Sequence, residues 1–379
     1  MKEIRTIVDA YFQLKKSAIR AALAAVVRTE GSSYRRIGAR MLVQEDGACL
    51  GGISGGCLEG DALRRAQKAI ALNRPSVVTY DTTQDDAHQI GAGLGCSGII
   101  DVLFTPLDYT DEHNAAELLS GLVNTRVPRI LLTVIRSSED PALLGRSWLE
   151  QDTVSMPTPL LSGGQAAKIE ELIADCLARQ ESRIFRLDAA GREVTLLAEW
   201  IRPALHLVLY GSNYDLYPMA RLGRELGFDI SVVTHVQKAG RSLYESASRV
   251  MDRLGPDRPV LDAFTAVMLM THDFKTDCSL LPGLLDSPAP YVGVLGPRKR
   301  MDKIWNALAD AGWTGNSEPR SRVHAPAGLD IGANTPEEIA LSVLAEIISV
   351  FSGRTGAPLR HRTVPIHENL PPTPDHADR

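Results

Sequence analysis

The residue types best suited to chemistry lie in a glycine-rich stretch from Gly51 to Gly60, GGISGGCLEG. The stretch precedes a helical apolar pattern, so its free amides and the helix dipole favour a bound anion. At the start of that helix a Cys57 thiolate would be stabilised and more nucleophilic, and Glu59 could accept a proton or bind a polar ligand. The predicted anion-binding positions are Ser54, Gly55 and Gly56, and the predicted catalytic positions are Cys57 and Glu59. The alternative for Cys57 is a small buried residue at a place where nothing larger fits.

A second cysteine, Cys96, lies in another glycine-rich turn, GAGLGCSG. Glycine backbone is permissive enough to let Cys57 and Cys96 converge on one site, and Cys96 is the third predicted catalytic residue. Two cysteines are too few for a structural zinc site and the chain has no Cys-x-x-Cys pair, so we predict no metal ligands. A role in binding a soft metal or carrying sulfur stays open.

Three arginines, Arg35, Arg36 and Arg40, stand within six residues in the stretch GSSYRRIGARM, which begins at Gly31. The planar guanidinium suits a phosphate or carboxylate held by two parallel hydrogen bonds. We therefore predict that these arginines bind the anionic part of a ligand. The alternative is a hairpin whose arginines are simply solvated.

A third glycine turn follows the apolar run Leu205–Tyr210 and resembles a damaged dinucleotide-binding fingerprint. Gly211 and Ser212 are kept as candidate binding residues, but Asn213 and Leu216 replace the second and third glycines of the G-x-G-x-x-G pattern. The next predicted strand ends in Thr234 and His235, not in the acid that binds a ribose hydroxyl. These departures argue against NAD(P) binding in the usual pose.

The elements that would position these residues form two α/β regions. Residues 1–200 are predicted to be an N-terminal α/β domain with glycine-rich loops. In residues 201–353, apolar runs of strand length alternate with helical patterns, which predicts a parallel sheet with right-handed crossovers, a Rossmann-like domain. Residues 354–379 are rich in proline and histidine without an apolar period, and we predict that they are disordered.

Composition limits the function classes. A net charge of −5 argues against a nucleic-acid partner held by a basic surface. Residues 1–28 do not have the pattern of a signal peptide, and no segment reaches the roughly 18 uninterrupted apolar residues of a membrane span. Five scattered cysteines are not a disulfide framework, so we expect a cytoplasmic protein.

Several long motifs together resemble the xanthine dehydrogenase accessory factor (XdhC/CoxI) family. The N-terminal ones are GSSYRRIGARMLVQEDG, GGISGGCLEG and GAGLGCSG, and the C-terminal ones include LHLVLYGSNYD, YVGVLGPRKR and HAPAGLDIGANTPEEIALSVLAEI. They occur in the family's order over nearly the whole chain to about residue 352. Tyr34 stands where that family usually has proline, and Ser97 where it usually has glycine.

The resemblance implies an accessory protein that binds molybdenum cofactor (molybdopterin) and assists its sulfuration and insertion into a molybdenum hydroxylase of the xanthine dehydrogenase type. It also makes a cysteine desulfurase and a second copy of the chain candidate partners. The competing hypotheses are an NAD(P)-dependent oxidoreductase that uses the Rossmann-like domain, and a structural partner protein whose Rossmann domain has lost its ligand. The resemblance favours an accessory protein over a free-standing enzyme.

Overall fold

The computed structural model describes residues 1–31, 33–83, 98–138, 140–189, 192–313 and 320–366. The chain divides into two compact units, Met1–Pro203 and Ala204–Arg379, each with its own sheets and core. Among the described residues, no helix combines the length and the apolar character needed to cross a bilayer.

The first unit is built on an antiparallel sheet of five strands in the order β3-β2-β1-β5-β4. The strands are β1 (Ala21–Gly31), β2 (Arg40–Gln44), β3 (Cys49–Gly51), β4 (Ser76–Asp81) and β5 (Gly98–Pro106). Side chains alternate across a strand, so β1 serves two cores. Ala22, Ala24 and Val26 pack against helix α2 (Glu59–Leu72), whereas Ala21 and Leu23 pack against helix α1 (Lys2–Ser17).

A second antiparallel sheet completes this unit, in the order β7-β6-β9-β8. Its strands are β6 (Arg129–Ser137), β7 (Ser147–Leu149), β8 (Arg183–Ala189) and β9 (Arg192–Ile201), and its helices are α3 (Ala115–Ser120), α4 (Thr158–Leu161) and α5 (Gln165–Arg179). Strands β8 and β9 are consecutive in the sequence and pair antiparallel. The two sheets meet where Val27 and Leu103 pack against Ile135 and Leu197. The N-terminal α/β unit is therefore antiparallel throughout its described strands.

The second unit is a six-stranded parallel sheet in the order β12-β11-β10-β13-β14-β15. Its strands are β10 (His206–Gly211), β11 (Asp229–Thr234), β12 (Arg249–Asp252), β13 (Thr265–Met270), β14 (Tyr291–Val294) and β15 (Val323–His324). The helices are α6 (Leu216–Glu225), α7 (Arg241–Ser246), α8 (Phe274–Leu285), α9 (Arg298–Asp310) and α10 (Pro336–Phe351). Counted along this unit the order is 3-2-1-4-5-6, the order of a doubly wound dinucleotide-binding fold. The predicted Rossmann-like domain is confirmed.

Local sequence features determine where the helices of this unit begin and end. Thr335 and Glu338 form a capping box at the start of α10, and Gly227 has a left-handed backbone after α6. Leu226 is 47% exposed because α6 ends at Glu225 and the chain turns away. Pro297 is the residue before α9.

Candidate functional site

The structure brings the arginine stretch and the glycine-rich stretch before α2 together. The Gly52 amide donates to the Arg40 carbonyl at 2.9 Å, and the ring of Tyr34 covers Gly55 closely enough that a Cβ there would lie 3.4 Å from it. Gly51 has a φ of 82°, and a side chain at that position would collide with the Arg40 carbonyl. The arginine stretch and the loop before α2 therefore form one continuous surface.

The carboxylate of Glu59, the first residue of α2, folds back over the loop that precedes it. It accepts the Ser54 amide at 2.8 Å, the Leu58 amide at 3.2 Å and the Ser54 hydroxyl. Burial acts to raise the pKa of Glu59, but these hydrogen bonds outweigh it, so the pKa lies below its usual value. Glu59 is thus an internal anion for the loop amides that were predicted to bind an external one.

That arrangement makes the loop sensitive to pH. The pKa of Glu59 is lower in the folded state than in the unfolded state, so the stability that its charge contributes is complete above the unfolded-state pKa of about 4.3. That stability is lost as the pH falls through the folded-state pKa. We expect Glu59→Gln to lower the free energy of unfolding by about 1 kcal/mol at pH 7, since the group is partly solvated, and by nothing near pH 2.

Urea denaturation at both pH values measures this difference, with the exposed Glu112 changed to Gln as a control that should have no effect. An equal loss for Glu59→Gln at pH 7 and pH 2 would show that the charge of Glu59 is not what holds the loop.

Cys57 lies two residues before α2, outside its first turn. Its thiol is free and half-buried, and the side chain packs at the edge of the core formed by α2 and the first sheet. Cys96 lies outside the described residues, so the expected closeness of the two sulfurs stays a prediction. Gly98, two positions after it in sequence, pairs with Gly31 at the start of the arginine stretch.

The three arginines have three different environments. Arg35 forms an ion pair with Glu3 of α1, and the Arg40 amide donates to the same carboxylate at 3.0 Å. The Arg40 guanidinium is buried, donating to the Gly38 carbonyl and to Glu199 of β9, each at 2.6 Å. Both side chains therefore already have internal partners.

Arg36 differs from its two neighbours. Among the described residues it has no carboxylate partner, and its Nε atom is buried without a hydrogen bond. Burial lowers the pKa of its guanidinium. An arginine that loses solvent and gains no partner lacks the compensation that such groups normally have, so of the three it is the one still able to bind an external anion.

The partner carboxylates Glu3 and Glu199 were not among the residues singled out from the sequence. Neither was Asp101, which is 1% exposed and accepts hydrogen bonds from Thr79 at 2.6 Å and from Arg136 at 3.0 Å. A lone acidic residue in an apolar strand such as β5 predicts a hydrogen-bonding or basic partner, because a charge at such a position is rarely buried without one.

In the second unit, Gly211 and Ser212 line a pocket at the carboxyl edge of the sheet. The other lining residues are Tyr210, Val233, Thr234, His235, Arg253 and Thr271. A Cβ on Gly211 would lie 2.5 Å from the Met270 carbonyl, so close contact between β10 and β13 already requires glycine there. Leu216 is 1% exposed and belongs to the core, which explains the loss of the third fingerprint glycine.

Two polar pairs stand along the same edge of this sheet. His272, in the left-handed region with a φ of 54°, places Nε2 2.7 Å from the carboxylate of Asp215, the residue before α6. Arg300, at the cation-rich start of α9, donates to the buried Asp277 at 2.6 Å. The residues that the structure describes include no cluster of three or more histidine, cysteine or acidic side chains able to hold a metal ion.

Comparisons with known proteins agree with these features. The profile of the XdhC and CoxI family matches residues 14–81, and the profile of the XdhC Rossmann domain matches residues 207–347. A protein of Bacillus subtilis, named as a probable xanthine dehydrogenase subunit, is 27% identical over 92% of this chain and 97% of its own length. A molybdenum cofactor insertion chaperone from Escherichia coli, PaoD, is 26% identical over 91% of this chain and 88% of its own.

The fold is shared with a solved structure, described as a xanthine dehydrogenase from Bacillus halodurans. The match has a TM-score of 0.69 and 24% identity, and it covers 95% of this chain and 99% of that one.

Proposed function

The chain belongs to the xanthine dehydrogenase accessory factor (XdhC/CoxI) family, and we therefore propose that it binds molybdenum cofactor as cargo and delivers it to a molybdenum hydroxylase of the xanthine dehydrogenase type. The relative named as an insertion chaperone supports this role, since the alignment spans most of both chains. The first unit would hold the cargo.

The observation that carries the proposal is the Arg36 guanidinium, whose buried Nε atom has no hydrogen-bond partner among the described residues. Molybdopterin ends in a phosphate, and a planar guanidinium suits a phosphate oxygen pair. Arg36 follows Tyr34, whose ring covers Gly55, so the cation belongs to the surface that also carries the loop before α2. Because the amides of Ser54 and Leu58 already hold the Glu59 carboxylate, the arginine and not the loop would contribute the main attraction for the phosphate.

Cys57 would supply the sulfur contact. A half-buried free thiol next to a glycine-rich loop is accessible to a ligand atom, and a soft thiolate is a suitable partner for molybdenum or for a sulfur it carries. Sulfuration of the cargo before delivery, transfer from a cysteine desulfurase, and assembly as a homodimer are finer parts of the same proposal.

The test is the amount of molybdenum and pterin that co-purifies from a molybdenum-replete host. We expect Arg36→Met to retain about tenfold less cargo than the wild type, the size of one charge-assisted hydrogen bond. Its thermal stability should be unchanged or higher, because the substitution removes a partly desolvated charge that has no partner among the described residues.

Arg35→Met is the matched comparison. It removes a guanidinium that already pairs with Glu3, so it should lower stability slightly and affect cargo less than Arg36→Met. Equal retention by the wild type and Arg36→Met would contradict the assignment of the phosphate contact. Failure of the wild type to retain any pterin would contradict the proposed function.

A second candidate function is an NAD(P)-dependent oxidoreductase, which the strand order and edge pocket of the second unit favour. It is weaker because Leu216 is part of the core and the Gly211 position is explained by strand packing. Oxidation of an aldehyde or alcohol substrate coupled to NAD(P) reduction by the purified chain would support it.

A further inference from the structure

The edge pocket of the second unit lies where nucleotide ligands bind in related folds. It has a volume of about 270 Å³ including its open mouth, and it is bounded by the ends of β10 and β11. From β10 the strand order runs to β11 on one side and to β13 on the other, so this is the point where the order reverses. Open α/β sheets bind ligands in the crevice outside the carboxyl ends of the strands at that point.

The charge of this pocket is unusual for a dinucleotide site. None of its described lining residues is acidic, and Arg253 and His235 are among them. The Arg253 guanidinium donates to the Thr276 hydroxyl and has no carboxylate ion pair among the described residues. The pKa of Asp273 is lowered mainly by its hydrogen bond with Thr276 and only in small part by Arg253. A positive charge without a directly paired anion therefore borders the pocket.

A second arginine adds to this potential. Burial raises the pKa of the Tyr210 phenol, and the Arg258 guanidinium lies near enough to act against that rise. Arg258 itself donates to the backbone carbonyls of Gly255 and Asp257. Asp215 in the nearby turn forms one hydrogen bond with His272 Nε2 at 2.7 Å, and its other carboxylate oxygen is buried without a hydrogen-bond partner among the described residues.

The end of β11 lacks the acid that such folds place there, and Arg253, which follows β12, lies beside it. In an NAD site the second strand ends in a carboxylate that binds the ribose hydroxyls, whereas an arginine nearby accommodates a ribose 2′-phosphate. Here β11 ends in Thr234, and the Arg253 amide donates to the Thr234 carbonyl at 2.7 Å. The arginine is thereby fixed next to the ribose position.

We propose that this pocket binds a nucleotide whose ribose carries a phosphomonoester, with Arg253 contacting the phosphate, Arg258 adding positive potential and His235 lining the pocket wall. The phosphorylated ribose would lie against the open mouth of the pocket, and the rest of the nucleotide would extend outward from it. This inference does not depend on the proposed handling of molybdenum cofactor.

The test is isothermal titration calorimetry of the full chain with adenosine 2′,5′-bisphosphate, 5′-AMP, inorganic phosphate, NADP and NAD. We expect adenosine 2′,5′-bisphosphate to bind at least about tenfold tighter than 5′-AMP, and NADP tighter than NAD by a similar factor. Arg253→Met should weaken adenosine 2′,5′-bisphosphate by about tenfold or more. Arg249→Met, an exposed arginine at the other end of β12, should not change it.

Equal affinities for NADP and NAD would overturn the proposal, as would full affinity in Arg253→Met, binding of inorganic phosphate alone, or no binding of the bisphosphate at millimolar concentration. If Arg253→Met proves unfolded by circular dichroism, His235→Asp replaces it, because a carboxylate at the pocket should abolish bisphosphate binding. Molybdenum and pterin retention is measured on the same samples, so loss of the nucleotide site and loss of cargo binding are told apart.

Discussion

Replacing Arg40 with Met is expected to lower the free energy of unfolding of the first unit by about 3–5 kcal/mol. The guanidinium and the Glu199 carboxylate are buried, with side-chain exposures of 4% and 10%, and their atoms are 2.6 Å apart. Removing one partner leaves the other charge without its counter-ion in a poorly solvated place, and that penalty is larger than the net value of the pair. Hydrogen exchange of the β1, β2 and β9 amides measures the loss.

The double variant Arg40→Met with Glu199→Met is the control. Two apolar side chains of similar length remove both charges at once, so most of the stability lost in either single variant should return. If the single variants lose less than about 1 kcal/mol, the pair is solvated and Arg40 is again available as an anion ligand.

Cys57→Ala is expected to abolish retention of molybdenum and pterin and activation of the target hydroxylase, while the fold stays intact. The side chain is half-buried at the edge of the core, so the loss of its sulfur should reduce stability by about 0.8 kcal/mol or less. Cargo content and thermal unfolding are measured on the same preparation.

Cys49→Ala is the matched control, since Cys49 is an exposed cysteine of the same unit and should be dispensable for both properties. Full activation of the target by Cys57→Ala would remove Cys57 from the site. A large loss of stability with normal cargo content would identify it as a packing residue.

The fold was predictable wherever a long periodic pattern was present. The apolar spacing that defines α2, α5 and α10 and the runs of strand length in the second unit indicate the correct elements and fold class. Strands β3, β7, β12 and β15 have two to four residues, too few for a period to be visible. Helix α1 has buried residues at helical spacing, namely Ile4, Ile7, Val8, Tyr11 and Leu14. This pattern is missed when the segment is tested only as a possible leader.

The site was predictable as a set of residue types but not as a set of partners. The arginine stretch and the glycine-rich stretch before α2 are adjacent, since the Gly52 amide donates to the Arg40 carbonyl. Whether an arginine is free or engaged depends on residues distant in sequence, such as Glu199, which no local pattern links to it. The hydrogen bonds of the Glu59 carboxylate to its own loop could have been predicted from the sequence. Ser54 lies five positions before Glu59, a separation that a folded-back side chain can span.

The long-range anchoring of the arginine stretch also determines when it can take its shape during synthesis. Arg35 and the Arg40 amide are held by Glu3, and the Arg40 side chain by Glu199, 159 positions further along the chain. Domains fold as units as the ribosome releases them. A nascent chain that has not yet reached β9 lacks the counter-ion for Arg40, so the arginine surface is completed only with the last strand of the first unit, and a truncated translation product would lack it.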